Sequence, residues 1–401
     1  MRRWDIGVGR AAAKAMIRFF FQRFQGPKLL LGVDFADGQL RIVALRRLKR
    51  AAGGHLKQWS PEFELEGYAV APLPDGGVVA GTIENGPAVS DCVQRLVSKL
   101  RMKSRRVAFA VKTSEALLLN TSVATGLSRR EKEDRVIALA ETALPYSLDE
   151  IYLDFAETRG DDSHSGRSSH NGNYGHHGDD QTAERITDND QIVVVAAQLE
   201  AIDSRVAVCR DAGLDVEVAD VVSLAQERLL VHLAEDQDST DTLLLITLEN
   251  GLSSLALFLG GRHLATREWQ FDVEELSSAS SKGQVNELAQ NYIWEDQEQQ
   301  EQPDFASVRA TILEQLKFLL AQTMSVAPST EVLSPSLALL AGSQARREGL
   351  DLALSACLGC PVRVADPFLK LGLRKDLDPA AVYRDAPTLL LATALALREA
   401  P

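Results

Sequence analysis

Leu31-Gly32-Val33-Asp34-Phe35-Ala36-Asp37-Gly38-Gln39-Leu40-Arg41-Ile42-Val43 is the stretch on which the fold turns. Asp37-Gly38 supplies a tight turn between two β-type runs, Leu29–Phe35 and Gln39–Leu48, so a hairpin opens the ordered chain. A third β-type run covers roughly Leu56–Val70. The same plan returns downstream, where Thr242–Ile246, Ser254–Leu259 and His263–Phe271 read as three strands. Two hairpin-first modules in one chain predict a duplicated α/β architecture.

Between and after the hairpins, the pattern alternates. A helix is predicted at Ala88–Met102, with Val89, Val93, Leu96, Val97 and Leu100 on one face. Strands at Val107–Val111 and Ala116–Ala124 lead to a helix at Ser128–Leu144, opened by a capping box from Ser128 to Glu131 and stopped by Pro145. Ile151–Glu157 and Gln191–Ala197 read as strands, Glu200–Ala212 as a helix, and Val216–Val222 as a strand before a helix to about Ala234. Asp236–Asp241 is a linker. The second module continues with a long helix at Ser307–Met324, a strand at Leu337–Gly342, a helix at Gln344–Leu358, a short strand at Val362–Val364 and a final helix at Pro387–Arg398.

Composition bounds the function. The 401 residues suffice for two cores, and 45% hydrophobic with 25% charged residues is a globular balance. The net charge of −13 conceals an asymmetry: residues 1–110 hold 19 Lys/Arg against 9 Asp/Glu, while the remainder is acidic. No aromatic-interleaved basic motif or zinc module accompanies the basic front, which argues against a nucleic-acid partner. Cys92, Cys209, Cys357 and Cys360 are scattered, and the one C-x-x-C lacks a second pair, so packing in a reducing compartment is expected. No apolar run reaches the ~20 residues of a spanning helix, and Lys14 and Arg18 interrupt any secretory core, which predicts a cytoplasmic protein.

Two segments stand apart. In residues 1–27, Arg10, Lys14, Arg18 and Gln22 share a helical stripe beside a face rich in aromatics that includes Phe19 and Phe20. Such a helix suits a membrane surface, or packing on its own fold or on another subunit. Arg159–Asp190 carries His164, His170, His176 and His177 with almost nothing apolar, which reads as a surface loop rather than a metal tract. Glu295–Asp304 reads as a solvated acidic loop.

The opening stretch resembles the first phosphate loop of the PilM family, actin-like assembly proteins of type IV pili. Tyr68-Ala69-Val70 with Thr82-Ile83, Ile151-Tyr152-Leu153-Asp154-Phe155, Val193–Ala197, Gly261-Arg262, Leu339-Leu340-Ala341-Gly342 and Val364–Phe368 resemble further family segments in the right order. The resemblance implies an actin-like duplicated ATPase-type fold. Its subdomain 1A would comprise 28–86 and 191–240, its inserted subdomain 1C 87–158, a loop 159–190, and its second half 241–401. It also implies a scaffold peripheral at the inner membrane among other pilus assembly proteins. That scaffold would bind the cytoplasmic N-terminal peptide of a PilN-like membrane protein in a groove between 1A and 1C, near Val107–Ala124.

In that fold, ATP and Mg²⁺ would lie between the halves, against backbone N–H groups of the hairpin turns. The resemblance places Asp34, Ala36, Asp37 and Gly38 in the first phosphate loop, and Thr247, Glu249, Gly251 and Ser253 in the second. Gly342 and Ser343 fall in the adenosine loop. Asp34 retains a metal-side carboxylate. Ala36 replaces a family glycine, Asp37 a hydroxyl, and Thr247 and Glu249 stand where the family has Asp and Gly. A carboxylate facing phosphate oxygens is repulsive. These departures predict a degenerate nucleotide site, no catalytic residue and no obligate cofactor. The alternatives are an active actin-type ATPase, or an FtsA-like membrane tether that uses the basic helix.

Overall fold

The computed structural model describes residues 29–48, 62–102, 104–144, 146–158, 189–234, 241–272, 305–326 and 334–398. The expected basic helix of residues 1–27, most of the His-bearing loop, residues 236–240 of the linker and the acidic 295–304 stretch lie outside those residues. Glu115–Glu200 gather into one compact unit, and the described parts of Arg23–Ser114 and Ala201–Pro401 into another.

The larger unit is built twice to one plan. Strand β1 (Leu29–Ala36) pairs antiparallel with β2 (Gln39–Arg47), and β2 with β3 (Phe63–Pro72). On its other edge β1 runs parallel to β6 (Arg106–Val111), and β6 to β10 (Asp215–Val221). The second sheet repeats this order. β13 (Arg262–Phe271), β12 (Gly251–Leu259) and β11 (Thr242–Thr247) form the antiparallel meander, while β14 (Leu337–Ala341) and β15 (Val362–Val364) add in parallel. A two-residue strand, β16 (Gly372–Leu373), extends the first sheet beside β3, and β4 (Val78–Val79) pairs with β5 (Thr82–Ile83).

Strands buried on both faces read as continuous apolar runs, and Leu40–Leu45 of β2 is buried throughout. Helices cover these sheets: α1 (Gly86–Leu100), α3 (Leu199–Asp211), α4 (Val222–Leu233), α5 (Ala306–Val326), α6 (Leu350–Leu358), α7 (Pro379–Asp385) and α8 (Leu390–Ala396). α8 crosses β1 so closely that a Cβ on Gly32 would stand 1.9 Å from the Ala392 carbonyl oxygen. Only glycine permits that approach.

The smaller unit is a three-stranded antiparallel sheet, β7 (Ala116–Ala124), β9 (Asn189–Gln198) and β8 (Ile151–Thr158), with β9 central. α2 (Arg129–Ala143) covers it through Val136 and Ala140, and its Ser128–Glu131 capping box forms in both directions. Lys132 is buried against Asp190 at 2.7 Å and Glu157 at 2.8 Å, which fixes the helix to the sheet.

Several expected boundaries move. The helix expected at Gln344–Leu358 begins only at Leu350, because Gly349 adopts a left-handed φ of 79° that interrupts it. The helix expected at Pro387–Arg398 begins as a 3₁₀ turn, Ala386–Leu389, and becomes α-helical only in α8, while α7 before it is a helix the sequence reading does not predict. Asp378 caps α7 by accepting from Ala380 N–H, with Pro379 in the first turn. α1 and β6, expected in the inserted piece, lie in the larger unit, and β9, expected in the returning 1A segment, is the centre of the smaller one.

Candidate functional site

The two hairpin turns meet. Asp34, Ala36, Asp37, Thr247, Glu249 and Gly342, drawn from all three expected loops, line one cavity of about 110 Å³. Gly38 and Ser343 lie on a neighbouring shallow depression with Asn250. Ser253 is fully buried under the second turn, where its hydroxyl accepts from Glu249 N–H at 3.0 Å. Arg10, Lys14, Arg18, Phe19 and Phe20 lie outside the described residues.

Arg41 organises the floor of this site. It sits on β2, 3% exposed, and its two terminal nitrogens donate to Glu249 Oε1 and Oε2 at 2.8 and 2.7 Å. The first of these nitrogens also donates to Asp34 Oδ2 at 3.2 Å. Paired N–H···O bonds of this kind are the strong geometry for a guanidinium and a carboxylate. Glu249 further accepts from Ser343 N–H at 3.1 Å, so one carboxylate joins the second turn, the loop after β14 and the first hairpin.

The electrostatics follow from two carboxylates sharing one cation. Burial opposes the Arg41 charge, but Glu249 and then Asp34 outweigh it and raise its pKa further. Asp34 holds the single, longer bond. Burial and the nearby Glu249 charge together push its carboxyl above the usual range, against the pull of Arg41.

Asp37 makes a separate arrangement. Its carboxylate accepts three backbone N–H bonds, from Ala80 at 3.0 Å, Gly81 at 2.6 Å and Leu252 at 3.0 Å. Ala80 and Gly81 both have positive φ, 51° and 72°, which turns successive amides to one side and builds a concave anion site. The loop is anchored from behind, as Lys112 Nζ donates to Ala80 O at 2.8 Å and Arg205 donates to Gly81 O at 2.7 Å. Gly251, at φ 108°, leaves room for the Asp37 side chain; a Cβ there would come within 2.4 Å of Oδ2.

Sequence reasoning placed Asp34, Asp37 and Glu249 at this site but assigned no role to Arg41, Lys112 or Arg205. The signal for Arg41 was present. An arginine inside the apolar run Leu40–Leu45 has to be buried, and a buried guanidinium requires carboxylates. Among the described residues, no cluster of His, Cys, Asp or Glu is arranged to hold a metal ion, and no helix is long and apolar enough to cross a membrane.

Comparison with known proteins places the architecture. The family model described as type IV pilus assembly protein PilM matches residues 32–168 and 180–400. A solved structure of a PilM–PilN type IV pilus biogenesis complex is similar at 19% identity and a TM-score of 0.65, over 94% of this chain and all of that one. Looser likenesses include the ethanolamine utilization protein EutJ from Carboxydothermus hydrogenoformans, at 11% identity and a TM-score of 0.42, over 94% and 92%. MreB 5 of Spiroplasma citri bound to AMPPNP follows at 10% identity and 0.38, over 92% and 95%. The chain has the duplicated actin-like α/β fold of the PilM structure.

Proposed function

Because the chain belongs to the PilM family of type IV pilus assembly proteins, we propose that it is a cytoplasmic scaffold of a pilus assembly platform. In this reading it docks at the inner membrane by binding the cytoplasmic N-terminal peptide of a PilN-like membrane protein. The observation that carries the proposal is the likeness, over 94% of this chain, to a PilM solved in complex with PilN. Peptide capture on a formed surface needs no catalytic group, which agrees with a scaffold.

The same reading retires the nucleotide loops from hydrolysis. A metal beside the phosphates would need the Asp34 carboxylate, which is bound to Arg41, while the second loop has Thr247 in place of the family's Asp. The phosphates would need the hairpin-turn amides, and in the second hairpin that of Leu252 is bound to Asp37, itself a residue of the first loop. These engagements support a scaffold that works without ATP.

Two measurements test the proposal separately. A synthetic peptide of the partner's N-terminal segment is expected to bind the full chain saturably in calorimetry, and absence of binding would remove the docking role. Mg-ATP is expected to give no saturable heat; tight binding would restore the ATPase reading instead.

A further inference from the structure

We propose that Asp37 is a built-in ligand, a carboxylate that occupies an oxyanion site assembled from both halves of the larger unit and holds them together without any bound small molecule. The inference deepens the reading of the loops given above by naming what fills the anion site. It rests on geometry that does not involve a pilus partner.

The site has the features of an anion receptor. Ala80 takes a left-handed φ that a residue with a Cβ adopts at a cost, and that strain turns its amide toward the site. Lys112 and Arg205 hold the carbonyls of Ala80 and Gly81 from the far side, so the loop cannot relax by rotating its amides away. The third amide, Leu252, comes from the second hairpin. Gly251 beside it lacks the side chain that would displace the carboxylate.

The ligand chemistry follows from these donors. Three converging N–H groups bind a compact oxyanion, and a carboxylate presents two oxygens to them, one shared by Ala80 and Leu252 and one for Gly81. Because Ala80 and Gly81 lie in the first half and Leu252 in the second, the carboxylate bridges the halves. Arg41 bridges them again through Asp34 and Glu249. The folded chain therefore supplies its own anion and its own cation, where a cleft that closes on a ligand would take both from solution.

Chemical rescue and hydrogen exchange test this on the full chain. Asp37→Ala is expected to melt roughly 5 °C below the parent, given three lost charge-assisted bonds. Sodium formate is expected to restore most of that loss saturably, measured against sodium chloride at equal ionic strength. The parent chain and Arg41→Ala should show no formate-specific gain. Inorganic phosphate in the same titration reports whether the site also takes a tetrahedral oxyanion; rescue by either anion supports the proposal. Equal response in all three proteins, or no response, overturns it.

The parent chain provides a second reading should Asp37→Ala fail to fold. Its Gly81 and Leu252 amides are expected to exchange slowly with no nucleotide present, and Asp37→Asn should exchange about 10- to 100-fold faster at both. Fast exchange in the parent chain overturns the proposal. The outcomes stay separable from those of the scaffold reading. Tight Mg-ATP binding with these amides still protected would end the ATP-free reading and leave the internal ligand in place.

Discussion

Two buried ion clusters in the larger unit have opposite stoichiometry. At the hairpin turns, one cation serves two carboxylates: Arg41 between Asp34 and Glu249. At the end of β10, one carboxylate serves two cations: Asp220 Oδ2 lies 2.8 Å from both Arg228 and Arg398. Both carboxylates are buried, yet they respond in opposite directions. Burial raises Asp34, and its half-share of Arg41 does not compensate. Burial would raise Asp220 too, but Arg228 and Arg398 outweigh it and hold the carboxyl below its usual range. Depth of burial is common to the two; the ratio of cations to anions decides in which direction each carboxyl is shifted. The second cluster also accepts a backbone bond from Val221 N–H, so it is saturated where the first is short of one positive charge.

Removing the shared cation should have the largest effect. Arg41→Met would leave two carboxylates buried without a partner and should cost about 3–5 kcal/mol in urea unfolding. Adding Asp34→Asn and Glu249→Gln should return most of that loss, since the charges are then gone. A triple variant as unstable as the single one would show that Arg41 acts through packing alone.

Asp220→Asn should cost somewhat less, about 2–4 kcal/mol, because Arg228 is part-exposed and regains water. Its pH signature is specific. A folded pKa below the unfolded value of about 3.8 contributes stability that is present above that value and lost as pH falls through the folded pKa. The deficit of Asp220→Asn should therefore be full at neutral pH and shrink below about pH 3.8.

The smallest change is expected of Asp34→Asn, and with the opposite slope. A folded pKa raised above about 3.8 contributes stability that is complete below that pH and lost as pH rises through the folded value. Relative to the parent chain, Asp34→Asn should thus improve with rising pH and be near neutral or stabilising at pH 7. Urea midpoints from pH 3 to 8 on both variants would show whether the two clusters diverge in this way.

Much of this architecture was legible before any coordinates. Asp37-Gly38 marked the first hairpin, and Ser128 with Glu131 marked the start of α2, because turn and cap chemistry are local. The site loops were found through order and resemblance, and the structure brings Asp34, Asp37, Thr247, Glu249 and Gly342 to one cavity. What could not be read was the destination of each charge. Glu249 stood out as a carboxylate where the family has glycine, but its partner lies 208 positions earlier, on another hairpin. Asp37 looked repulsive toward phosphate, and nothing local shows that the amides of Ala80, Gly81 and Leu252 turn toward it. The misplaced helix starts have a similar cause. Arg346 and Arg347 continue the helical spacing, but Arg346 donates to the carbonyls of Tyr383 and Arg384, and Gly349 ends the run. The resemblance puts β6 with the inserted segment, whereas its register with β1 and β10 is a property of the sheet that no local residue shows.

The bare Cα of Gly32 carries a consequence for assembly in time. β1 begins the described chain, and the helix that seals its face, Leu390–Ala396, comes near the other end of it. During synthesis the first hairpin emerges early and waits with its apolar face uncovered until α8 has been made. The sheet whose first hairpin is made before α8 is thus covered only when α8 arrives. A chain that stops short of α8 leaves exposed the surface that chaperones and proteases recognise, so the Gly32 contact doubles as a proof of completeness.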